Sequence, residues 1–147
     1  MHLVNEIWII TDSGLTIYNQ MVEEKIDKDL FGGFIAAIHS FIKAMGEELC
    51  KSITMGNSQI VIMLDKINSL YFVGRSDVKV KEKKIEEYLS KIMEKFCTCY
   101  EDELKDFRGN VDTFKDVDKL INIKEDSSNF FGINIDKSIS KSVLEKL

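Results

Sequence analysis

Histidine is scarce in this chain, proline is absent, and cysteine occurs three times without a framework. A serine nucleophile needs a base within hydrogen-bond reach. The two histidines are His2, at the chain terminus, and His39, which a helical wheel sets away from the apolar face. Asp12-Ser13-Gly14 therefore reads as a turn, since Asp bonds its own backbone and Gly tolerates positive φ. Cys97 and Cys99 stand two apart in a predicted helix, where neighbours meet at i+3 and i+4, so they diverge. With Cys50 remote, no four-ligand zinc set forms. The two thiols read as core or half-buried, and an odd count without disulfide spacing fits a reducing, cytoplasmic setting. The lack of proline supports no functional reading.

Other absences exclude other classes. Neither G-x-x-x-x-G-K-[ST] nor G-x-G-x-x-G occurs, so Gly32-Gly33 reads as close helix packing and no cofactor is implied. No apolar run approaches the ~20 residues of a membrane span. The start lacks a basic segment followed by an apolar stretch, so no leader is expected. A net charge of -5 argues against nucleic acid as a partner, because phosphate binding needs a basic footprint.

What is present is 147 residues with 44% hydrophobic content, enough for one domain with a core that needs no metal or disulfide. Ile7–Ile10, "QIVIML" at 59–64 and "SLYFVG" at 69–74 are apolar on both faces, as strands covered on both sides are. Residues 15–18 and "CKSITM" at 50–55 alternate and read as edges. These five predict an antiparallel sheet with the first, fourth and fifth strands central.

A polar connector at 20–28 precedes a helix with Asp29 as N-cap, running to about Glu48. Its broad face of Phe31, Phe34, Ile35, Ile38, Phe41, Ile42 and Met45 is the expected core. Gly33, Ala37, Ser40 and Ala44 form a second, narrow row of small side chains. That row either abuts the domain's own sheet or receives a helix from a second subunit.

"KEKKIEEYLSKIMEKFCTCY" is the second long helix, with Ile85, Leu89, Ile92 and Phe96 as its stripe. Arg108-Gly109-Asn110 break it, and Phe114, Val117, Leu120 and Ile121 mark a short third helix. Lys84, Lys91 and Lys95 line one side of the second helix. They read as a solvated face, with peripheral contact to an anionic membrane as the alternative. The domain is expected over 1–123. Residues 124–147 read as a tail with a linker at Ser127-Ser128-Asn129 and a short amphipathic helix carrying Ile139, Val143 and Leu147.

The order hairpin, long helix, three antiparallel strands, two helices resembles the longin fold. "IWIITDSGLTIYN", "DLFGGFIAAIHSFIKAM", "SQIVIMLDKINSLYFVG" and "KIEEYLSKIMEKF" look like its pattern in register, with a first strand running into a D-x-G turn. The resemblance covers about 3–123 and is similar in kind to archaeal longin-like proteins, TRAPP subunits and small adaptin chains. Roadblock domains are the nearest alternative. They place an additional helix before the first strand, which here begins by about residue 4.

The implied fold is α+β and longin-like (profilin-like): a five-stranded antiparallel sheet with one long helix on one face and two on the other. The implied function is a non-catalytic scaffold in trafficking or signalling. Such proteins form homo- or heterodimers with another longin or roadblock domain and bind or regulate Ras-like small GTPases. Their first helices often lie side by side and their edge strands meet. The resemblance carries no GTPase-contacting motif, so the candidate partner-binding residues are geometric: Gly33, Ala37, Ser40 and Ala44, with Lys51, Ser52 and Thr54 on the edge strand.

Two other classes compete. A PAS or profilin-like ligand sensor would hold a closed cavity near Trp8 and Tyr71. An enzyme would need an acid–base cluster, for which Asp12, Asp65 and Asp77 at strand ends, converging on one rim, are the candidates. Turn formation is the plainer reading of each.

Overall fold

The computed structural model describes residues 2–23 and 25–126. The predicted linker and tail helix beyond residue 126 lie outside the described residues.

The strands are β1 (Glu6–Thr11), β2 (Thr16–Met21), β3 (Ser52–Met55), β4 (Ser58–Asp65) and β5 (Leu70–Asp77). They form one antiparallel sheet in the order β2-β1-β5-β4-β3. The three two-faced apolar runs are thus the three central strands, as expected. Side chains alternate across the sheet. Trp8, Ile10, Ile62, Tyr71 and Val73 face one layer, formed by α1 (Lys28–Ala44). Ile7, Ile9, Val61 and Phe72 face the other layer, α2 (Glu82–Cys99), whose Ile85, Leu89, Ile92 and Phe96 are all buried as the stripe predicts.

After α2 come the short α3 (Glu101–Lys105) and a 3-10 stretch, Val111–Lys119, where a single third helix was expected. Phe114, Val117 and Ile121 are buried there, on the α2 side of the sheet. The segment is stapled to β2 and α2 by polar contacts. Tyr18 Oη donates to Asp118 Oδ1 at 2.5 Å. The Gln20 amide donates to the Ile121 carbonyl at 2.8 Å and accepts from the Ile123 N–H at 2.7 Å. Tyr88 Oη donates to Asp126 Oδ2 at 2.8 Å. Burial, with Asp118 reinforcing it, pushes the Tyr18 phenol above its ordinary pKa. β2 therefore extends to Met21, inside the expected connector, and Thr16 and Tyr18 are buried rather than exposed.

The boundaries of α1 differ from expectation. Asp27, not Asp29, is the N-cap: its Oδ1 accepts from the Asp29 and Leu30 amides, both at 2.9 Å. The helix stops at Ala44 rather than Glu48 because Gly46 takes φ +88 and its N–H closes on the Lys43 carbonyl.

Candidate functional site

The sequence supplies α1 with more apolar side chains than one sheet can cover. Phe31, Gly32, Ile35 and His39 turn inward. Phe31 lies 4.4 Å from Trp8, ring to ring. His39, expected on the outer face, is buried: Nδ1–H donates to the Ile35 carbonyl at 2.8 Å, Nε2 accepts from the Cys50 N–H at 3.3 Å, and the ring stacks 4.2 Å from Tyr71.

The expected core face is therefore only partly core. Phe34 is 43% exposed, Phe41 67% and Met45 66%, and Leu30, absent from that face, is 72% exposed. They turn outward because α1 rests on the sheet about the Phe31–Ile35–His39 line, not about the centre of its broad apolar arc. The readable signal was excess: a helix apolar nearly all round has two faces to bury.

The small row stands beside them. Gly33, Ala37, Ser40 and Ala44 are all exposed, so the row does not abut the domain's own sheet. Together, Leu30, Phe34, Ala37, Phe41 and Ala44 alternate steps of four and three residues, the spacing of a helix–helix seam. Aromatic side chains line one flank and small ones the other. Exposed apolar patches of this kind occur at protein or membrane contacts and at ligand grooves. Among the described residues β3 pairs only with β4, so its other edge is open there. On or beside it, Lys51 and Thr54 are exposed and Ser52 is half-buried.

The candidate acid cluster does not assemble. Asp12 and Asp65 share a rim, the Asp12 amide donating to the Ser69 carbonyl at 3.1 Å, but Asp77 lies opposite Ser58 at the far end of β4 and β5. Asp65 is a turn-former. Burial pushes its carboxyl up, and hydrogen bonds from Asn68, Cys97 and the Ile67 amide outweigh that and hold it below the usual range. Cys97 donates to Asp65 Oδ2 at 3.1 Å; burial first, then that carboxylate, push its thiol up to about 12. Cys99 is exposed rather than semi-buried. Among the described residues no group of three or more His, Cys, Asp or Glu side chains is placed to hold a metal, and no helix is long and apolar enough to cross a membrane.

Burial lowers the His39 pKa against the pull of the Ile35 bond, and nearby Lys43 lowers it further. The unfolded chain therefore takes up a proton first as pH falls. The His39 contribution is complete above the unfolded value of about 6.5 and declines below it. Urea midpoints taken from about pH 7.5 to 5.5 should fall for the wild type and flatten for His39→Gln. An equal slope in both would exclude His39 as the cause.

No family model matches the chain, and no curated protein matches its sequence. Solved structures do. Myxococcus xanthus MglB is similar to it over 65% of this chain and 85% of that chain, with a TM-score of 0.50 and 12% identity. At that identity the likeness is one of fold. The chain has a longin/roadblock-like α+β fold, as the order of elements implied.

Proposed function

We propose that this protein is a non-catalytic interaction domain that pairs through α1 and the β3 edge and binds or regulates a Ras-like small GTPase, in cytoplasmic trafficking or signalling. The observation that carries the reading is the doubly apolar α1: Leu30, Phe34, Phe41 and Met45 exposed beside a row of small residues, next to an open sheet edge. The GTPase part of the reading rests on the resemblance of the element order to longin and roadblock proteins, with which the fold shared with MglB is consistent.

The side-chain pattern fits an antiparallel pair of α1 helices crossing at Ala37. Leu30 of one copy then falls against Ala44 of the other, and the two phenylalanines of each helix meet those of its mate. Small residues at the crossing let the backbones approach. Each large apolar side chain buried is worth roughly 1.5–3 kcal/mol. The seam is self-complementary, as a two-fold interface requires.

Light scattering over a concentration series tests the pairing. The wild type should have the mass of a dimer, and Ala37→Glu/Ala44→Glu should be a folded monomer. A wild-type monomer, or a variant dimer, would remove α1 as the assembly surface. Titrating purified Ras-like GTPases, loaded with GDP or a non-hydrolysable GTP analogue, tests the second half: absence of binding in both states ends that part. The sensor reading has no support here, because the expected cavity beside Trp8 and Tyr71 is where Phe31 and His39 pack.

A further inference from the structure

On the sheet face away from α1 lies an open trough of about 800 Å³ between the β4–β5 turn and the C-terminal half of α2 with α3. It continues into a hollow of about 300 Å³ beside the β1–β2 turn, the two sharing Asn68, Ser69 and Leu104. Its apolar surface is Met93, Leu104 and Ile67. Ile67 is 93% exposed at the tip of the turn.

The turn is held in place from below. Asp65 Oδ1 accepts from the Ile67 amide at 3.0 Å, and Oδ2 accepts from Asn68 Nδ2 at 2.7 Å and from the Cys97 thiol on α2. The side chains that fix the turn are thus anchored to the helix that forms the opposite wall. The charged lining of the two hollows is Asp12, Asp65, Glu94 and Glu101 against Lys105 alone, which pairs with Glu101 at 3.8 Å.

We infer that this trough is a second interaction surface, and that its occupant is a partner segment carrying an apolar anchor flanked by lysine or arginine. The anchor lies on Met93, Leu104 and Ile67, and the cations meet the exposed carboxylates Asp12, Glu94 and Glu101; Asp65 is buried and held by the turn. The inference does not depend on the α1 pairing, because α1 covers the opposite sheet face and a dimer formed there leaves both troughs open.

The test is fluorescence anisotropy of the full chain with three labelled short peptides: leucine alternating with lysine, leucine with glutamate, and serine with lysine. The leucine–lysine peptide should bind, weaken with salt, and lose about tenfold or more in affinity against Met93→Lys/Glu94→Lys and against Ile67→Ser. The leucine–glutamate peptide should not bind, and serine–lysine should bind about tenfold more weakly. Ile67 and Glu94 are exposed, so Ile67→Ser and a separate Glu94→Lys keep the test valid if the double variant fails to fold. Three results overturn the proposal. One is serine–lysine binding equal to leucine–lysine, which would be general attraction to an acidic chain. The second is binding unchanged in the trough variants. The third is binding abolished by Phe34→Glu/Phe41→Glu instead, which would place the peptide on α1.

Discussion

Gly32→Ala is expected to cost about 3 kcal/mol of folding stability, while Gly33→Ala next to it costs nothing. Gly32 lies on the inner side of α1, where the helix backbone crosses the β1–β2 turn. A Cβ there would stand 2.2 Å from the Gly14 carbonyl oxygen and 2.9 Å from Thr16 Oγ1. The oxygen belongs to main chain and has no rotamer to move to. Retreat is blocked as well: Gly14 is at φ +96, and Thr16 Oγ1 donates to the Lys28 carbonyl at 2.9 Å, tying the turn to the first turn of α1. Gly33 has nothing within 4 Å of its missing Cβ, and alanine gains up to ~1 kcal/mol of helix propensity there. Thermal unfolding of the two variants should separate by about 10 °C. Equal midpoints would mean that the close crossing is not rigid.

Arg75→Leu is expected to be more damaging still, at about 3–5 kcal/mol, and Glu6→Leu/Arg75→Leu should recover most of the loss. Glu6 lies on the sheet face that carries Trp8 and Val73, and only 2% of its side chain is exposed. Arg75 Nε donates to Glu6 Oε2 at 2.6 Å, Nη2 reaches the same oxygen, and Trp8 Nε1 donates to Oε1 at 3.4 Å. Removing the guanidinium leaves a desolvated carboxylate whose remaining donor is long and weak. Removing both ends leaves an apolar neighbour for Met21 and Ile60, and buried ion pairs replaced by well-packed apolar groups often lose nothing. Urea unfolding of wild type, both single variants and the double variant closes the cycle. A mild Arg75→Leu would show that water reaches Glu6 once the arginine is gone.

The strands were legible because each central one is apolar on both sides, a texture only a doubly covered strand has. The α2 stripe was legible because the helix has one apolar side and one charged side, so its orientation has a single solution. α1 has no such contrast. With apolar residues over most of its circumference, a wheel cannot tell Phe31 from Phe34. The inner line is set by the Gly32–Gly14 crossing and by the His39 ring over Tyr71. Both are contacts between distant elements. His39 misled for the same reason: its polarity suggested solvent, while its two ring nitrogens meet backbone groups that form only when the helix docks. Gly32 and Gly33 look alike in sequence and have opposite surroundings. The small row on α1 and the β3 edge were readable as candidates; Phe34, Phe41 and Met45 beside the row were not, because they were assigned to the core. The rim shared by Asp12 and Asp65 but not Asp77 follows from strand direction, which the sequence leaves implicit.

The strand order has a consequence for how this chain is made. β1 lies between β2 and β5, so its inner partner is, of the described strands, the last to leave the ribosome. The Glu6–Arg75 pairing joins positions 69 residues apart. Until β5 emerges, a nascent chain holding β1, β2 and α1 presents Trp8, Ile10 and both apolar sides of α1 with no sheet to close over them. Non-local closure of this kind is slow, and the waiting intermediate is sticky. The period of greatest risk of aggregation is thus the interval between the emergence of β1 and that of β5, and ends when residues 70–77 insert beside a strand made long before.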